Sequence, residues 1–224
     1  MAVFILSVLL NGGYTERDMA VKSFEIHDST PLMDEDAQNV FDGGEKSNSS
    51  QNIEITKKGE SEKTIIVGAH YDSAGTHGVD DNGSGVSVAL ENALRMINIP
   101  TYYTIKYVFF GSEETGMYGS REYVESLSEK ERNNIVLMIN IDSVLAGDYL
   151  YLYGGKVNDN GTVDNTEAVL KAYGIAQELG LSIQLPPDGN NDYPYPTGQK
   201  RSDHAPFNNI NIPYIYFEAN NWEK

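Results

Sequence analysis

Five short motifs in this chain carry residues able to do chemistry, and most follow an apolar run. They are A-H-Y-D-S at residues 69–73, V-D-D-N-G-S-G at 79–85, F-G-S-E-E-T-G at 110–116, N-I-D-S at 140–143 and R-S-D-H-A-P-F at 201–207. Imidazole nitrogen and carboxylate oxygen are the ligand mix that suits a divalent ion of the zinc type. An adjacent pair of glutamates can supply one ligand and one general base, the equipment of a metal-assisted hydrolysis.

Each motif alone has a plainer reading. His70 could be a satisfied core histidine, residues 80–85 an acidic turn capping a helix, and Asp142 a turn former. Glu113-Glu114 is harder to explain away, because two carboxylates directly after an aromatic strand and before Gly116 do little for solubility. In a metal reading one binds the ion and the other takes a proton from water. Asp72, two residues beyond His70, can point the same way and orient the imidazole. An acid delivered to the core boundary, as Asp142 is by V-L-M-I-N-I, is costly unless paired or liganded. His204 is a further ligand candidate by residue type. His77, in a glycine-rich loop, and His27, at a strand end, are read as bystanders.

Hydrophobic periodicity predicts the elements that must position these groups. Ile5 and Leu9, four apart before Asn11-Gly12-Gly13, predict a helix with a glycine stop, and residues 21–27 alternate like a strand. Residues 28–50 are polar and read as a loop, and 186–199 as a proline- and tyrosine-rich rim. The runs 52–56 and 64–69, separated by a turn-like segment, predict a hairpin. Helices are predicted over 85–97, with Val88, Leu90, Ala93, Leu94 and Ile97 on its buried side, and over 119–127 and 166–179. Strands are predicted over 104–110, 135–141, 149–153 and 212–217. Nearly continuous apolar strands indicate burial on both faces, hence an α/β sandwich with a mixed, largely parallel sheet. His70 and Asp72, Glu113 and Glu114, and Asp142 then all follow strand ends, the edge at which open α/β sheets bind ligands.

The chain has 224 residues, 40% of them hydrophobic, which fits one domain spanning 1–224. Thirty-three acidic against 16 basic residues give a formal charge of −17. That charge repels nucleic acid and anionic lipid but attracts metal cations and protonated amines. Without cysteine, any metal site must use oxygen and imidazole. Residues 1–10 are apolar but too short, and lack the flanking features, for a signal peptide or membrane span.

In this order, A-H-Y-D-S, D-D-N-G-S-G, F-G-S-E-E-x-G-x-x-G-S, N-I-D and R-S-D-H-A-P-F resemble the di-zinc aminopeptidases. These are related to bacterial leucyl aminopeptidase, glutaminyl cyclase and the transferrin-receptor peptidase-like domain, and the likeness covers roughly residues 50–217. The resemblance implies a three-layer sandwich with two zinc sites. His70 and Asp142 would bind one zinc, Asp81 would bridge both, Glu114 would bind the other, and Glu113 would be the general base. Asp72 would orient His70, while Arg201, Asp203 and His204 would lie beside the substrate or behind the ligands. Relatives also carry a cis peptide after the equivalent aspartate, here between Asp81 and Asn82. The implied reaction is hydrolysis of the first peptide bond of peptides with a free N-terminus. Glutaminyl cyclisation at a related single-zinc site, and a non-catalytic binding module, are the alternatives. One departure matters. The family's last zinc histidine lies beyond R-S-D-H, and no histidine follows His204, so by the family pattern the site of Asp81 and Glu114 lacks its imidazole and is incomplete, and the chain reads as a family fragment trimmed at both ends.

Overall fold

The computed structural model describes residues 1–26, 48–157, 163–164, 166–187 and 202–221. Helix α1 (Ala2–Asn11) forms where the sequence predicts it, with Ile5 and Leu9 completely buried and Gly13 at φ +109° just past its end. Tyr14 then ties this corner down, its hydroxyl donating to the Ala93 carbonyl at 2.9 Å.

Strands β1 (Met19–Glu25), β2 (Ser49–Lys57) and β3 (Ser61–His70) come next, followed by α2 (Gly83–Met96), β4 (Tyr103–Phe110), α3 (Tyr118–Ser126) and α4 (Glu129–Asn134). The chain continues through β5 (Ile135–Ile141), β6 (Tyr149–Gly154) and a small ribbon of β7 (Lys156–Val157) with β8 (Val163–Asp164). It ends with α5 (Glu167–Glu178), β9 (Ile183–Gln184), α6 (His204–Asn209) and β10 (Tyr214–Asn220).

Eight strands make one sheet in the order β1-β2-β4-β3-β5-β10-β6-β9. Its centre, β4-β3-β5-β10, is parallel, while β1, β2 and β6 join antiparallel. Side chains alternate across the sheet. Val67, Ala69, Tyr107 and Phe109 meet α1 and α2 on one face, whereas Ile66, Val108, Phe110 and Met138 meet Tyr123, Val124 and Phe207 from α3 and α6 on the other. Helix α5 covers β6 and β10 through Val169, Leu152 and Ile215. This is the α/β sandwich that the apolar runs predict, in the three layers that the resemblance implies.

Several details differ from the sequence reading, beyond the short β7, β8, β9 and α6, which it does not predict. β2 and β3 do not form a hairpin, because β4 lies between them, antiparallel to β2 and parallel to β3. Their link passes over the start of β4, where Glu60 N donates to Thr101 O at 3.0 Å and Ser61 N to Tyr102 O at 2.8 Å. Only glycine fits that crossing, since a Cβ on Gly59 would come within 2.3 Å of the Tyr103 carbonyl oxygen. Second, α2 buries Val86, Ala89, Leu90 and Ala93, while Val88 is 47% exposed. The stripe begins earlier because the helix starts at Gly83. Third, α4 was absent from the predicted elements. It is short and polar, and its signal is the capping box, in which Ser128 Oγ accepts from Glu131 N while the Glu131 carboxylate accepts from Ser128 N.

Leu9→Ala is expected to cost about 2–5 kcal/mol in urea unfolding, as a large cavity under α1 should. Gly174→Ala, on the exposed side of α5 with nothing within 4 Å of the added methyl, is expected to add about 0.5–1 kcal/mol through helix propensity. A loss of stability there would contradict the placement of α5.

Candidate metal centre

The parallel register sets the site. His70 ends β3 opposite Phe110 at the end of β4, and Gly68 pairs with Asn140 near the end of β5. His70, Glu113-Glu114 and Asp142 therefore leave the sheet at one edge, as the strand-end pattern predicts. Asp81 reaches the same place from the turn before α2.

The His70 side chain is 1% exposed, and its Nε2 lies 3.1 Å from Asp81 Oδ1 and 3.2 Å from Asp142 Oδ1. Its Nδ1 lies 3.2 Å from the Asp72 carbonyl oxygen. With the ring proton donated to that carbonyl, Nε2 presents a lone pair to two carboxylate oxygens. Only a second ring proton or a shared cation makes that arrangement favourable. The three donors lie within 4.8 Å of one another, and this N,O,O set suits zinc. The electrostatic surroundings of the side chains carry the same tension. Burial works to lower the His70 pKa, but hydrogen bonding to Asp142, Asp72 and Asp81 outweighs it and holds the imidazole well above its usual range. Burial likewise works to raise Asp142, and the His70 hydrogen bond and charge, with Ser202 and Ser143, bring it below the usual carboxylate range.

Asp72 braces the glutamate pair. Its Oδ1 accepts from Glu113 N at 3.1 Å and its Oδ2 from Glu114 N at 3.2 Å, while Oδ1 lies 3.6 Å from His70 Nδ1. One carboxylate thus joins the ends of β3 and β4. Glu114 Oε1 accepts from Ala74 N at 2.9 Å. Burial, then the Asp203 charge, pushes Glu113 well above the usual carboxylate range, and burial with the Asp81 charge pushes Glu114 to about 7. Ser112 and Ser143, the neighbours of Glu113 and Asp142, sit at φ 60° and 52°. Left-handed backbone at non-glycine residues is uncommon and gathers at functional sites.

Behind Asp142 the hydrogen bonds continue inward. Ser202 Oγ donates to Asp142 Oδ2 at 2.6 Å, and Asn140 Nδ2 donates to Ser202 Oγ at 2.8 Å. Asn140 Nδ2 also lies 3.5 Å from His204 Nδ1, and the His204 ring stacks between Tyr214 and Tyr216 at centroid distances of 4.5 and 4.6 Å. Asp203 is completely buried, and burial pushes its carboxyl up to about 7. Arg201, His27 and the rim from residue 188 lie outside the described residues. His77 is exposed in its loop.

The turn carrying Asp81 is fixed as tightly. The peptide between Asp81 and Asn82 is cis, as the resemblance implies. Asn82 caps α2, its Oδ1 accepting from Gly85 N at 3.0 Å, and its Nδ2 donates to the Ile141 carbonyl at 2.9 Å. Asn82 and Ser202 were missed from the sequence, because a buried amide or hydroxyl beside a candidate ligand has no periodicity to betray it.

Residues 52–224 match the family model described as Peptidase family M28. Among curated proteins, the Alkaline phosphatase isozyme conversion protein of Escherichia coli is 32% identical over 185 residues, covering 74% of this chain and 51% of the relative. A solved structure of a zinc aminopeptidase from Bacillus subtilis matches at 31% identity with TM-score 0.63, covering 76% of this chain and 40% of that one. A glutaminyl cyclase structure from Porphyromonas gingivalis matches at 19% identity and TM-score 0.71, covering 100% of this chain and 76% of that one, a likeness of fold. The chain spans about half the length, or less, of the curated relatives it matches.

Gly85→Ala is expected to reduce stability by about 2 kcal/mol or more in chemical unfolding, as overpacking against fixed neighbours does. The added Cβ would stand 2.3 Å from both the Ile141 carbonyl oxygen and Asn82 Oδ1. A neutral effect would show that α2 is not seated against the end of β5.

Proposed function

The chain belongs to peptidase family M28, and from that premise we propose that its site is that of a zinc-dependent aminopeptidase acting on peptides with a free N-terminus. The observation that carries this reading is the convergence of His70, Asp81 and Asp142 beside a glutamate pair held by Asp72. His70, Asp81 and Asp142 would hold one ion, and Asp81 with Glu114 a second. Zinc bound there supplies a Lewis acid that polarises a carbonyl and eases the ionisation of water.

The chain's own residues do the rest. Glu113 takes the proton of the attacking water and returns it to the leaving amine. Its raised proton affinity, set by burial and the neighbouring Asp203, suits a group that must accept a proton and give it back. Asp72 keeps His70 and the glutamate backbone in fixed relation, so neither has to reorganise during the reaction. The excess of 33 acidic over 16 basic residues favours approach of a protonated N-terminus. The likeness to a zinc aminopeptidase at 31% identity supports this reading.

Aminoacyl anilides test it directly. Release of arylamine that a chelator abolishes and zinc restores is the expected result, and loss of ammonia from N-terminal glutamine without hydrolysis would favour cyclisation instead. In active protein, Glu113→Gln should lower turnover by at least ~100-fold while elemental analysis finds bound zinc nearly unchanged. His70→Ala should remove more zinc than Glu114→Ala. Loss of metal in Glu113→Gln would make Glu113 a ligand and displace it as the base.

A further inference from the structure

Asp80 and Asp81 are adjacent, yet only Asp81 faces His70. The Asp80 carboxylate turns toward the loop that follows Asp142, where its Oδ1 accepts from Leu145 N at 2.8 Å and its Oδ2 from Ala146 N at 3.2 Å. Ser84 Oγ, which donates to the Asp80 carbonyl at 2.7 Å, accepts from Val144 N at 2.9 Å. Asn82 Oδ1 accepts from Ser143 N at 3.2 Å. Four consecutive amides of one loop, 143 to 146, are therefore bound by side chains of one turn, and that turn carries Asp81. Asp80 binds two of the four, and it is the only one of the three side chains with a full charge.

We infer that Asp80 is a positioning residue that sets the spacing of Asp81 and Asp142 around His70. Two carboxylates aimed at one point repel each other unless an ion is present, so the segments bearing them must be held from outside. Asp80 does this through charge-assisted bonds to backbone, which are stronger than neutral ones. It makes no hydrogen bond or ion pair with His70, and acts through the loop. The inference rests on the metal-site reading above. Partners that orient ligands in this way typically affect metal affinity by about 10–100-fold.

The test is zinc affinity of the 224-residue chain, measured by competition with a chromophoric chelator well below the unfolding midpoint, together with thermal unfolding of the metal-free protein. Asp80→Ala is expected to weaken zinc binding by about 10–100-fold. Asp80→Asn, which keeps an acceptor oxygen for Leu145 N, should fall between it and the unaltered chain. Asp18→Ala is the control, since it removes an exposed acid accepting from Thr15 N and Oγ1 away from the site, and its zinc affinity should not change. Zinc binding by Asp80→Ala equal to that of the unaltered chain, whatever its unfolding midpoint, would overturn the inference. If Asp80→Ala does not fold, Asp80→Asn decides by the same criterion. An unaltered chain that binds no zinc, or binds it equally well after His70→Ala, would instead remove the site reading and this inference with it.

Discussion

Two carboxylates aimed at one buried imidazole nitrogen are the constraint around which this molecule is built. Asp81 and Asp142 repel each other, and Asp142 and His70 are removed from water, so left to themselves the three groups would separate. A flexible chain could not hold them. The parallel centre of the sheet can, because β3 and β5 are neighbours in fixed register and their ends cannot move apart without breaking the ladder. The apolar faces of β3, β4 and β5, covered on both sides, provide the stabilisation that offsets the local cost. Core and site are thus one design, in which apolar burial fixes the backbone and the backbone fixes the charges.

Hydrogen bonds then divide the work. Asp72 joins the end of β3 to the glutamate pair after β4, Asn82 joins the turn before α2 to the end of β5, and Ser202 supports Asp142 from behind. Each fastens two segments distant in sequence, and each uses an acceptor or donor that would be costly to bury unpaired. Gly85 belongs to the same fastening, since its missing side chain lets α2 start against the Ile141 carbonyl.

How much of this the sequence disclosed follows from the reach of each signal. Continuous apolar runs mark doubly covered strands, so 104–110 and 135–141 were placed within a residue of β4 and β5, and the motifs at their ends fell on one edge. Strand order was harder. The link from β2 to β3 looks like a hairpin turn, and the pairing of both strands with β4, over whose start Gly59 passes, shows that another strand lies between. The partners of the candidate ligands are hidden for another reason. Ser202 and Asn82 matter through contacts at 60 and 59 residues' separation, and local pattern carries no such information. Asp80 was visible only as one acid in a turn, and its direction became evident from the loop it binds.

The exposure of the three donors gives the site a direction. The His70 and Asp142 side chains are 1% and 10% exposed, whereas that of Asp81 is 51% exposed. Among the described residues, Asp81 is thus the donor of the three that is most open to solvent, and the electrostatic pull on a cation is least screened by protein on that side. The group most open to water is also the one whose position owes least to the strands, since it stands on a turn. That is why the turn needs fastening at residues on both sides of Asp81, by Asp80 to one segment of the loop after Asp142 and by Asn82 to another. An exposed carboxylate on an untethered turn would give way to solvent, and the tethers let the site be open and ordered together.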